Sequence, residues 1–160
     1  MGVPIGIARH PYPLGGAQAA AANRPIGGTV PVGTAFAMTL PAIIQTYLDA
    51  YNRKDVAALV ACVADSIVFE HVSGEGNGVR VEGREAFAKL AAQGAALFTT
   101  RHQAARTAVV EGDRVAIEVD WQGIPAVDLG SMAAGVPVTR RGASFLTIAE
   151  GRLIRIVDIS

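Results

Sequence analysis

Few residues of this chain are of a type and in a place to do chemistry, and His71 is the first of them. An imidazole exchanges a proton near neutral pH, so a histidine at the end of a strand is suited to shuttle one. It is equally suited to bond a loop carbonyl. Asp158 is the second. It belongs with Ile154 and Ile156 to the more apolar of two alternating sets in the last run, and is expected to face inward. A buried carboxylate is costly, so Asp158 needs a partner or a shifted pKa, unless it meets water at the strand end. Trp121 closes the inward set Val115, Ile117 and Val119, where it either completes a core or stacks on a flat ligand.

Other candidates have plainer readings. Glu118 and Asp120 alternate with the apolar set and therefore look outward, as solvated charges or part of a subunit interface. Cys62 stands alone among apolar neighbours, which excludes an internal disulfide and suits a buried free thiol. His102 has no second histidine or cysteine at ligand spacing, so no metal is expected. Arg140 and Arg141 face opposite ways on a strand and read as solvated charges. The run from Ser73 to Gly78 lacks the spacing of a phosphate loop and reads as a loop over a pocket mouth.

The elements that must hold these residues are legible in order. Pro41 suits the first turn of a helix, with Thr39 as a possible cap, and Ile43, Ile44, Tyr47, Leu48 and Tyr51 form one apolar stripe. Asp55 is typed to cap a second helix, Val56 to Val63. Ala64 to Ser66 then turns into a strand, Ile67 to His71, whose parity puts Phe69 with His71. Gly83 precedes a third helix, Arg84 to about Phe98. Strands follow at Arg101–Val110, Arg114–Gln122, Val136–Ile148 and Arg152–Ile159, with turns at Glu111-Gly112-Asp113 and Ala149-Glu150-Gly151. The order ααβ-α-ββββ is α+β.

Residues 1–38 are different in kind. They hold seven of the 18 glycines and five of the 8 prolines, and no acidic residue precedes Asp49. That density denies periodicity, so the stretch reads as a flexible tail, and Met38 is expected to be the true start, ahead of one domain over 39–160. The formal net charge is zero across 160 residues, which gives no footprint for nucleic acid or an anionic membrane. No apolar run reaches the roughly 20 residues of a bilayer span, and a soluble, cytoplasmic protein is expected.

The residues Tyr47, Tyr51-Asn52, Asp55, Leu59, Ala64-Asp65, Val68-Phe69-Glu70 and Gly83 form a pattern similar to that of the nuclear-transport-factor-2-like superfamily. That superfamily includes SnoaL-like polyketide cyclases, ketosteroid isomerases and limonene-epoxide hydrolases. The resemblance runs from near Met38 to the end and implies a cone, a curved and mostly antiparallel sheet wrapped around about three helices. By resemblance to the ketosteroid isomerases, His71 stands at the general-base position and Tyr47 at that of the oxyanion donor. Their second donor, a carboxylic acid, falls near Ser144. Limonene-epoxide hydrolases resemble the chain's ending and carry a catalytic aspartate where Asp158 stands. Their companion Arg-x-Asp is absent from the inner face that carries Val119 and Trp121.

The resemblance therefore implies a pocket for a small apolar or polycyclic molecule. Its expected wall is Phe69, Ile117, Val119, Trp121, Ile156 and Ser144, and His71, Tyr47 and Asp158 would carry cofactor-free proton transfer. A homodimer through the outer sheet face, a non-catalytic binding module and an epoxide-hydrolase-type hydrolase are the other expectations it raises.

Overall fold

In the computed structural model, residues 39–160 are described, apart from Glu75 and Asn77. The expected tail, residues 1–38, lies outside them. Helix α1 (Ala42–Asn52) starts after Pro41, which takes the cap position expected of Thr39 and offers no side-chain bond. Its stripe buries Ile44, Tyr47 and Leu48. Helix α2 (Val56–Ala61) is capped as expected: the Asp55 carboxylate accepts from the backbone N–H of Ala58 at 2.9 Å. It ends earlier than its apolar run suggests, because Val63 already begins strand β1 (Val63–Val72). Ala64 to Ser66 are thus strand and not turn, and a register irregularity between Val63 and Val68 absorbs them.

Strand β2 (Val79–Glu82) was not expected; at four residues it is too short to show a period. Helix α3 (Arg84–Ala96) follows Gly83, and β3 (Phe98–Glu111), β4 (Arg114–Pro125), β5 (Val138–Ala149) and β6 (Arg152–Ile159) complete the chain. His102 lies within β3, not at a helix junction. Between β5 and β6, Glu150 at φ 50° and Gly151 at φ 71° are both left-handed, as a two-residue primed hairpin turn requires.

The strands form one curved, unclosed sheet in the order β2-β1-β6-β5-β4-β3. Only β1 with β6 is parallel; the other pairings are antiparallel. Helices and sheet enclose one core, with Ile44, Ile67, Leu153 and Ile156 fully buried. Leu153 corrects the simple alternation of the last strand. The pairing slips between Thr147 and Ile148, and this lets Leu153 and Ile156 both turn inward.

Register then positions the site. Residues directly opposite in a sheet share a face. Val79, His71, Asp158, Ser144, Ile117 and Ala108 are successive partners across all six strands and form one inward row. The next row outward contains Arg80, Glu70, Val157, Phe145, Ala116 and Val109.

Candidate functional site

Between the helices and the inner sheet face lies a cavity of about 200 Å³. Tyr47 and Tyr51 reach it from α1, Phe69 and His71 from β1, Asp158 from β6 and Arg101 from β3. Leu59, Phe87 and Leu90 give it apolar walls. Tyr47, His71 and Asp158 are therefore brought to one cavity from three elements distant in sequence.

Their surroundings differ. His71 and Asp158 are neighbours by strand pairing, and a ring nitrogen of His71, Nε2, lies 3.1 Å from Oγ of Ser160. Asp158 is half-buried and borders the cavity. Burial raises its pKa, and the Ser144 hydroxyl and the His71 charge only partly offset that. Ser144 Oγ donates to Asp158 Oδ1 at 2.6 Å. Tyr47 is buried, and both desolvation and the Asp158 charge hold its pKa well above that of free phenol, so it stays a proton donor.

Arg101 was not foreseen as part of the site. It is 7% exposed, and its guanidinium carbon sits 3.8 Å from the centroid of the Tyr51 ring. Its Nε donates at 3.3 Å to the Tyr51 carbonyl at the end of α1, which also accepts from the backbone N–H of Lys54 at 3.0 Å. Next along β3, Gln103 also turns inward, and its backbone exchanges two hydrogen bonds with the Asn52 side chain, at 2.8 and 3.0 Å. Asn52 thereby ties the end of α1 to the edge strand. An inward arginine followed two residues later by an inward polar residue does exist, then, on β3 and not on β4, with an amide in place of a carboxylate. The alternation Arg101-His102-Gln103 was the available signal, but two polar residues facing inward cannot be told from two facing water without knowing their partners.

The remaining expected wall residues are placed differently. Ile117, Val119 and Ile156 are core residues beneath the cavity, not part of its wall. Ser144 stands behind Asp158 and reaches the site through it. Trp121 takes the packing alternative: it meets Phe98 edge-on at 5.2 Å, and its Nε1 donates to the Tyr51 hydroxyl at 2.9 Å. It thereby orients a wall residue. Cys62 is buried, donates to the Ala58 carbonyl and has its thiol pKa raised by burial, all of which disfavour a nucleophile. Among the described residues no group of three or more His, Cys, Asp or Glu side chains could hold a metal ion.

The sequence profile of the SnoaL-like domain matches residues 44–156. No curated protein matches the chain. Among solved structures, a protein of ketosteroid-isomerase-like fold from Catenulispora acidiphila, in complex with trimethylamine, is 22% identical. The alignment covers 75% of this chain and 85% of that one, with a TM-score of 0.64. A protein provisionally named a polyketide cyclase, from Xanthomonas campestris, is 26% identical over 74% of this chain and 87% of its own, with a TM-score of 0.59. An epoxide hydrolase from M. tuberculosis, of the limonene-epoxide-hydrolase-like type, is 18% identical over 73% and 78%, with a TM-score of 0.59.

Proposed function

The chain belongs to the SnoaL-like domain family, and on that premise we propose that it is a cofactor-free acid–base enzyme acting on one small molecule in the cavity. The observation that carries this reading is that Tyr47, His71 and Asp158 share one cavity wall. His71 would take a proton from the carbon beside a carbonyl. The C–H electron pair would move into the new carbon–carbon double bond and the carbonyl pair onto oxygen. Tyr47, and Asp158 in its acid form, would donate hydrogen bonds to that oxygen. The enolate then either regains the proton at another carbon, an isomerisation, or attacks a second carbonyl, a cyclisation.

Asp158 thus acts as a donor beside Tyr47. With burial favouring its neutral form, it resembles a carboxylic acid kept protonated to serve as a donor, as in the ketosteroid isomerase pattern. The acid that the resemblance looks for near Ser144 is offered one strand away, by the residue that Ser144 bonds. A hydrolase would need an ionised carboxylate to activate water, and the raised pKa of Asp158 does not favour that.

The test is exchange of the α-hydrogens of cyclohexanone in deuterium oxide, followed by NMR. The wild-type protein is expected to accelerate exchange over buffer, and His71→Ala to lose roughly 10²–10⁴-fold of that acceleration. No acceleration by the wild type would leave the chain a binding module.

We also propose that two copies pair through the outer sheet face. Phe145 is 48% exposed there, with Val72, Val109 and Ile159 also exposed around it. At one side Arg106 and Arg141 pair with Asp120 at 2.9 and 3.2 Å, giving the apolar patch a charged rim. Among the described residues no helix is long and apolar enough to cross a membrane.

A further inference from the structure

We propose that the cavity binds a small monocarboxylate, a single ring or short branched chain bearing one carboxylate, and that Arg101 is the residue that recognises it. The inference rests on the reading of the cavity as a small-molecule site, and not on proton transfer within it.

Arg101 carries a permanent charge in a position 7% exposed, and what remains accessible borders the cavity. A buried charge is costly unless it is paired. Among the described residues no carboxylate lies within ion-pair distance of this guanidinium, whereas Arg80, Arg84, Arg106, Arg141 and Arg155 all have one. The one acidic residue of the cavity wall, Asp158, is bonded to Ser144 and is not ion-paired with Arg101. Tyr51 supplies a carbonyl dipole to Nε and a ring face to the guanidinium carbon. Neither is a counter-charge. The counter-charge has to enter with the ligand.

The shape of the site selects the kind of anion. Tyr51 engages the guanidinium through its carbonyl at Nε and through its side chain, and the planar Arg101 group at the cavity wall has donors that suit a carboxylate. Gly94, in the last turn of α3 and on the cavity wall, lies beside the guanidinium; a Cβ there would sit 3.4 Å from Nη1. With no side chain, Gly94 leaves the space beside Nη1 unfilled. The other walls are apolar, with Leu59, Phe69, Phe87 and Leu90 facing the cavity. A volume of about 200 Å³ is below the roughly 300–1,000 Å³ of sites for drug-sized ligands. The body that fits is therefore one ring, not the polycyclic molecule that the family resemblance allows.

The experiment compares benzoate with benzamide, its neutral counterpart of the same shape, by NMR titration at millimolar ligand. The wild-type protein is expected to bind benzoate tighter by on the order of tenfold or more. Arg101→Gln should abolish the preference, and Arg101→Lys, which keeps the charge but loses the planar group, should reduce it several-fold. Should the glutamine variant fail to fold, the lysine variant and Gly94→Ala decide; the latter should weaken benzoate more than benzamide. Cyclohexanone exchange on the same proteins is read separately, so failure of the proton-transfer reading and failure of this proposal are distinguishable. Equal affinities in the wild type, no benzoate binding, or a preference unchanged in Arg101→Lys would each overturn it.

Discussion

Ser144 and Asp158 face each other across the antiparallel pair β5–β6, and the serine hydroxyl donates to the carboxylate oxygen at 2.6 Å. This bond opposes the desolvation that raises the Asp158 pKa. Ser144→Ala removes the opposing contribution, so the Asp158 pKa should rise further, as read from the carboxyl carbon chemical shift against pH. An unchanged or lower value would mean that the hydroxyl does not set the acid's state.

The same group makes stability depend on pH. A raised native pKa means that the fold prefers the acid form. The contribution is complete below the pH at which an exposed aspartate ionises, and is lost as pH rises through the raised native value. Asp158→Asn keeps the shape and the acceptor for Ser144 without a charge to bury. Its melting temperature should therefore fall less than that of the wild type between acid and neutral pH. Parallel curves for the two proteins would contradict the assignment.

Tyr47→Phe keeps the buried ring and removes one donor. Binding of a phenolic or enolate-like ligand should weaken by about 1–3 kcal/mol if a buried hydrogen bond is lost, with little change in melting temperature. Because the Tyr47 pKa is well above neutral, the loss should be the same throughout the neutral range. Calorimetric titration of wild type and variant supplies the comparison.

Gly142 lies against the backbone carbonyl of Ile159, and a Cβ built on it would overlap that oxygen. Backbone cannot swing aside as a side chain does. Gly142→Ala should cost about 1–3 kcal/mol through overpacking, and the shift should be largest where Ala143 pairs with Ile159. Urea unfolding with amide exchange over β5 and β6 measures both.

Phe145 centres the exposed apolar face, so Phe145→Asp should convert a dimer to monomers at micromolar concentration without loss of fold. Light scattering gives the mass, and circular dichroism the fold. A wild type that is already monomeric would remove the proposed pairing.

What could be read from the sequence was local. The α1 stripe, the Asp55 cap and the alternation of Val115, Ile117 and Val119 each depend on residues a few positions apart, and they appear where expected. Positions that depend on register were less legible. Leu153 turned inward because of an irregularity in pairing, and Val79–Glu82 needed β1 beside it to be a strand at all. At the site, the sequence placed His71 and Asp158 on inward faces, and parity was enough for that. Arg101 escaped notice because an inward charge is identified by its partners, here the ring and carbonyl of Tyr51, 50 residues earlier. The Ser144–Asp158 bond likewise exists only through strand pairing.

The parallel pairing of β1 with β6 has a consequence for folding order. The first long strand stays without its inner neighbour until the last strand arrives, and the bond from His71 to Ser160 spans 89 residues. Loop closure of that length is among the slower contacts to form. The hairpins β3–β4, β4–β5 and β5–β6 can assemble early, since their partners are consecutive in the chain. The cavity's polar end, His71 beside Asp158, is completed only when that hairpin stack docks onto β1. Closure of the cavity's polar end and completion of the sheet are thus expected to coincide.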